Sequence, residues 1–169
     1  MSVSTIRHAA GAARPSRSTP VSTGVIDLFA GAGGIDEGLS MLGRDDVLGI
    51  EWWLPACQIA SAAGHRRIGP GPDGDVSKLS PSTVALAAKW TGEAVVGSPP
   101  CGPWSMAGKG LGVSDAHLVL AGVEQIADGR HPRGVLARLR HHCKDDRTPL
   151  VLEPLRWVLE LRPAWVMWE

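Results

Sequence analysis

A short apolar run, Val25-Ile26-Asp27-Leu28-Phe29, empties directly into Ala30-Gly31-Ala32-Gly33-Gly34. A run of that length, without polar alternation, predicts a strand buried on both faces, as in a parallel sheet. Glycines immediately after it let the backbone turn sharply and approach a ligand. Helical spacing follows, with Ile35, Leu39 and Leu42 on one face. The free N–H groups of that helix then point back at the turn. Strand, glycine turn and helix together constrain the chain to an α/β fold.

The pattern repeats. Val47 to Glu51 predicts a second strand and Pro55 to Ala63 a helix of small residues. Residues 69–74 form a Pro/Gly loop. A helix from Ser82 to Trp90 precedes a strand over Glu93–Gly97 that runs into Ser98-Pro99-Pro100-Cys101. A further helix spans Asp115 to Ala127. Residues 128–147 are polar and basic. Leu150 to Leu161 is amphipathic, with Pro154 marking either a kink or the true first turn. Trp165 to Trp168 is a last strand, followed by Glu169. Strands alternating with helices imply a parallel sheet with helices on both faces. In such a sheet ligands bind beyond the carboxyl ends of the strands, so Glu51, Cys101 and Glu169 gather on one rim.

Residues 1–22 lack periodicity and read as a disordered leader, leaving 23–169 as one domain. Three cysteines, at 57, 101 and 143, make no even framework, which argues for a reducing, cytoplasmic setting. No apolar run is long enough for a membrane span. The formal net charge is +0. A module that grips nucleic acid alone is usually basic, so any grip on DNA comes from another segment or a partner.

The glycine turn does not have the GxGxxG spacing of dinucleotide binders, and no phosphate-binding Lys follows it. Glu51, at the end of the second strand, is placed to accept both hydroxyls of a ribose. A nucleoside without phosphates fits these features better than a nicotinamide cofactor. Asp75 is placed either to accept an adenine amino group or to cap a turn. Cys57 lies in an apolar helix and reads as core. His141, His142 and Cys143 are adjacent, a poor arrangement for shared metal ligands, and no metal is expected. The cluster Arg130, His131, Arg133, Arg138, Arg140, His141, His142 and Lys144 reads equally well as a solvated face or as a DNA-phosphate contact. Cys101 is the one cysteine presented by a Pro-stiffened loop at a strand end.

These stretches resemble the ordered motifs of the cytosine-C5 DNA methyltransferases. Asp27 to Gly34 resembles the first motif, Glu51-Trp52 the second and Gly74-Asp75-Val76 the third. Pro100-Cys101, with Ser105 and Gly108-Lys109, resembles the fourth. Asp146-Arg147 with Leu150 resembles the fifth, and Arg162-Pro163 through Glu169 the start of the sixth. The departures are Gly102, where the family usually has Gln after the cysteine, a long stretch over 113–145, and no counterpart of the target-recognition region.

The resemblance implies a Rossmann-like S-adenosylmethionine-dependent methyltransferase fold, incomplete at its far edge, working in restriction–modification. It implies S-adenosyl-L-methionine held by Phe29, Ala30, Gly31, Gly33, Gly34, Glu51, Trp52, Asp75, Val76 and Pro100. It implies Cys101 as the nucleophile and Glu169 as the acid at N3 of a cytosine flipped out of double-stranded DNA. The alternative is a non-catalytic or split half, inactive until a second polypeptide supplies the missing motifs.

Overall fold

The computed structural model describes residues 22–105 and 111–169. The leader read over residues 1–22 therefore lies outside the described residues except for Ser22, as do Gly108 and Lys109.

Five strands form one all-parallel sheet in the order β3-β2-β1-β4-β5. They are β1 (Thr23–Leu28), β2 (Val47–Ile50), β3 (Arg67–Ile68), β4 (Trp90–Gly97) and β5 (Trp165–Trp168). The helices are α1 (Gly34–Met41), α2 (Leu54–Ala62), α3 (Pro81–Ala87), α4 (Leu111–Ser114), α5 (Ala116–Ala127), α6 (Pro132–His142) and α7 (Glu153–Leu161). The α/β architecture with helices on both faces is as the alternation of elements predicts.

Alternate residues of the strands feed opposite layers, because side chains of a strand point to opposite faces. Ile26, Leu28, Leu48, Ile50 and Val95 pack with Val84 of α3 and Trp157 of α7. Val25, Val47, Ala94 and Val96 form the other layer, against Ile35 and Leu39 of α1. Trp157 is completely buried, and truncation to Ala would cost about 3–5 kcal/mol. A third cluster joins α5 and α6 through Val119, Ile126, Val135, Leu136 and Leu139 to Leu152.

Several elements differ from the sequence expectation. The first strand stops at Leu28, because Phe29 takes a left-handed φ of 61° and turns the chain. Leu42 follows the end of α1 and is 79% exposed, so only Ile35 and Leu39 of the expected stripe reach the core. The segment Thr148–Leu152 is a 3-10 turn, and Pro154 falls in the first turn of α7, where its missing N–H costs nothing. The polar stretch 128–147 contains a full helix, α6, and β3 is an additional strand of two residues.

Parallel order puts every carboxyl end on one rim. The order reverses direction between β1 and β4, which makes their carboxyl ends the switch point where open α/β sheets bind ligands.

Candidate active site

Gly33 caps the amino end of α1 with φ 112°, and a side chain there would meet His65 at 2.6 Å. Only glycine suits both constraints. At Gly31 and Gly34, by contrast, a Cβ would meet nothing within 4 Å, so the space above the turn is open. The turn is tied to the end of β2. Gly31 N–H donates to Oε2 of Glu51 at 2.8 Å, and Ala30 N–H donates to the Ile50 carbonyl at 3.0 Å. Oε1 of Glu51 accepts from Trp53 N–H at 2.6 Å. Each carboxylate oxygen keeps a further lone pair for a hydroxyl.

The third expected motif lies against the second. A Cβ at Gly69 or Gly74 would collide with the Glu51 carbonyl oxygen, so the loop after β3 approaches Glu51 as backbone only. Lys78 stands 5.8 Å from the ring of Trp52, which is itself exposed. Asp75 accepts from the N–H and hydroxyl of Ser77 and pairs with Lys78 at 3.2 Å. Burial raises the Asp75 carboxyl, but the Ser77 and Lys78 contacts outweigh it, and the Arg140 charge adds to them. The carboxyl is held below its ordinary range. Asp75 is thus a turn cap in this structure. The side chain of Val76 is core, and its carbonyl accepts from Arg156 at 2.7 Å. Arg156, buried and paired with Glu153 at 2.7 Å, also reaches the Leu79 carbonyl, fastening this loop to α7.

A buried acidic group underlies the turn. Asp27 is 0% exposed, and neither carboxyl oxygen has a hydrogen-bond partner. Burial first, then the charges of Asp36 and Glu51, push its pKa up to about 8, against the lowering effect of Arg67. Arg67 makes a bidentate pair with Asp36 at 2.8 and 2.9 Å and reaches the Gly31 carbonyl at 3.4 Å. In the sequence Asp27 stands out only as a letter of the first motif, and Arg67 does not stand out at all. The four charged groups lie far apart in the chain. An Asp inside an otherwise apolar strand is the one signal that could have found them.

Beyond β4 the chain turns through Ser98-Pro99-Pro100 to Cys101, which is exposed. The Ser98 hydroxyl donates to the Phe29 carbonyl at 3.4 Å, so this loop touches the glycine turn. The Cys101 carbonyl accepts from both Trp104 and Ser105 N–H at 2.9 Å, which closes the turn behind the cysteine. Its thiol reaches the Pro99 carbonyl at 3.5 Å. Pro100 is half-buried. Glu169 follows β5, and its N–H bonds the Gly97 carbonyl at 3.2 Å, on the same rim. Glu51, Cys101 and Glu169 therefore stand just beyond the carboxyl ends of β2, β4 and β5, on one rim, whereas Asp75 and Val76 lie in the loop after β3. Cys57 is buried in α2, as expected.

The family model for C-5 cytosine-specific DNA methylases matches residues 23–137, more than half of the sequence. The chain belongs to that family. Among curated relatives, M.NgoBI of Neisseria gonorrhoeae, a type II methyltransferase, is 32% identical over 136 residues, covering 78% of this chain and 40% of its own. M.HaeII of Haemophilus aegyptius is 34% identical over 112 residues, covering 66% and 32%. M.HgiGI of Herpetosiphon aurantiacus is 27% identical over 147 residues, covering 85% and 86%. The chain thus spans two fifths or less of the length of the first two type II methyltransferases, and most of the third. No solved structure matches. Among the described residues of this family member, no helix is long and apolar enough to cross a membrane.

Proposed function

We propose that the chain carries the cofactor and nucleophile sites of a DNA (cytosine-5-)-methyltransferase using S-adenosyl-L-methionine. One observation carries the reading. At the switch point of the sheet, the loop bearing Cys101 leaves β4 against the glycine turn that leaves β1, with Glu169 at the end of the next strand.

The charge around the turn supports the choice of cofactor. Asp36 and Glu51 act on Asp27, which stays protonated up to about pH 8, and Arg67 offsets Asp36, so the net charge at the turn is the Glu51 carboxylate. Such a site attracts a cationic sulfonium nucleoside and repels a pyrophosphate, so a nicotinamide dinucleotide is disfavoured. When bound, S-adenosyl-L-methionine supplies an electrophilic methyl group. Phe29, Ala30, Gly31, Gly33 and Gly34 would line its amino-acid and ribose portions. Glu51 would accept from the ribose hydroxyls with its spare lone pairs. Trp52, the backbone of Asp75 and Val76, and Pro100 would border the base.

The remaining chemistry belongs to the chain's own side chains. The Cys101 thiolate adds to C6 of a flipped cytosine, forming an S–C6 bond and making C5 nucleophilic. Glu169 donates a proton or hydrogen bond to N3 as charge develops there. After C5 is methylated, loss of its proton to a base re-forms the C5–C6 double bond and expels the thiolate. Calorimetric titration separates the cofactor readings. Binding of S-adenosyl-L-methionine tighter than NAD is expected, and the reverse order would overturn this assignment.

A second reading, a half that is inactive alone, is favoured by β5. Trp165, Val166, Met167 and Trp168 are all apolar and all 38–52% exposed on an edge strand. Such an edge recruits further strands. Residues 1–169 alone are then expected to methylate DNA little. Addition of a polypeptide that pairs with β5 would restore activity and would protect its amides from hydrogen exchange. Robust methylation by the chain alone would rule this second reading out.

A further inference from the structure

We propose that the outward face of α6 and its flanks, from Arg130 to Lys144, binds the sugar–phosphate backbone of duplex DNA beside the Cys101 loop. The proposal rests on the DNA-methylating reading above and adds a surface to it.

The segment is chemically one-sided. Between Gly129 and Lys144 it contains Arg130, Arg133, Arg138, Arg140 and Lys144, with no Asp or Glu. The chain as a whole has a net charge of +0, so this stretch is a local concentration of positive charge on a neutral protein. Val135, Leu136 and Leu139 turn inward onto α5 and Leu152. Helical periodicity then sends the cations to the other arc. Among the described residues, none of the five is ion-paired with a carboxylate. Of the other described cations, Arg44, Arg67, Arg147, Arg156 and Lys78 each are, whereas the scattered Arg66, Lys89 and Arg162 are not, so it is the clustering of unpaired cations that sets this segment apart.

Helix electrostatics does not account for the pattern. Cations in the last turn, such as Arg140, complement the carboxyl end of a helix. Arg133, however, lies in the first turn, where a cation opposes the dipole, and no acidic residue accompanies it there. An unpaired cation kept in an unfavourable place is better explained by an external anion.

Position supplies the partner. Lys144 N–H donates to the buried Asp115 at 2.7 Å, which locks the carboxyl end of α6 to the start of α5. One turn earlier, Gly112 N–H bonds the Pro103 carbonyl at 2.8 Å, two residues from Cys101. A Cβ at Gly102 would stand 3.8 Å from Nη1 of Arg147. The charge of Arg140 also acts on Asp75. The basic end of α6 therefore borders the rim that holds the nucleophile, where a duplex offering a flipped base would bring its phosphates. Phosphate contacts of this kind position a duplex without reading its sequence.

The test is the salt dependence of binding to a short labelled duplex, measured with the 169-residue chain. Arg133 and Lys144 are exposed and lie outside the cofactor site. The double variant R133A/K144A should lower the slope of log affinity against log salt by about two, roughly one for each phosphate no longer neutralised. The weakening should be the same for unrelated duplex sequences. R133K/K144R should keep the wild-type slope, and both variants should bind S-adenosyl-L-methionine as wild type does. An unchanged slope in R133A/K144A would overturn the proposal. So would wild-type protein that fails to bind duplex at low salt, or that prefers single-stranded RNA. If the slope falls as expected while Cys101 forms no adduct with cytosine, the surface stands and the chemical assignment fails. If the adduct forms and the slope does not move, only the surface is wrong.

Discussion

The backbone N–H of Gly31 donates a 2.8 Å hydrogen bond to Oε2 of Glu51, a residue twenty positions further along the chain. That bond joins the ends of two neighbouring strands and sets the Glu51 carboxylate beside the open space over Gly31 and Gly34. Replacing Glu51 by Ala removes both this tie and the acceptor proposed for the ribose. Binding of S-adenosyl-L-methionine should weaken by about 1–3 kcal/mol, measured by calorimetry. Unaltered affinity would remove Glu51 from the cofactor site.

Asp27 gives stability a pH dependence of defined sign. Its pKa in the fold, about 8, lies above the ordinary 3.8, so folding favours the neutral carboxyl. Its stabilising contribution is whole below pH 3.8 and is lost as pH rises towards 8, at most about 1.4 kcal/mol per pH unit. Asp27→Asn keeps the shape and cannot ionise. The variant should therefore gain stability relative to wild type as pH rises from 4 to 8. Denaturant melts across that range, without cofactor, measure the difference. A constant difference would show that Asp27 does not titrate in the fold.

Arg67 is the sole cation in that group of acids named above, and it also touches the Gly31 carbonyl. Arg67→Met would leave the buried Asp36 without its guanidinium partner and with only the His65 ring, 3.9 Å away, beside it, so the cost should approach the ~3–5 kcal/mol typical of breaking a buried pair. Arg67→Lys keeps the charge but loses the two-pronged geometry, and should fall between wild type and Arg67→Met. Unfolding free energies in denaturant test the order. Equal stability of all three would show that the pair contributes nothing.

The sequence made β1, β2 and β4 legible because strands buried in a parallel sheet are written as short apolar runs, and β5 is an equally apolar run although its side chains are exposed at the sheet edge. The rim followed from their parallel order, and with it the grouping of Glu51, Cys101 and Glu169. β3 is illegible because it is two residues long and one of them is Arg67, whose charge is paired with Asp36 across the fold. α6 is hidden by its arginines and histidines. Its inward face has only Val135, Leu136 and Leu139, whose spacing at i, i+1 and i+4 is the available sign of a helix. Asp75 can be read two ways from sequence, and only the Ser77 and Lys78 contacts show it capping a turn.

The central claim, that Cys101 adds to cytosine, is tested most directly by covalent trapping. Duplex DNA containing 5-fluorocytosine blocks the final elimination, because fluorine at C5 cannot leave as the proton does. With S-adenosyl-L-methionine present, and a polypeptide pairing with β5 supplied if the chain requires one, an adduct stable to denaturing electrophoresis should form. Peptide mapping should locate it at Cys101, and Cys101→Ser should abolish it. An adduct that persists in Cys101→Ser, or that maps to another residue, would contradict the account.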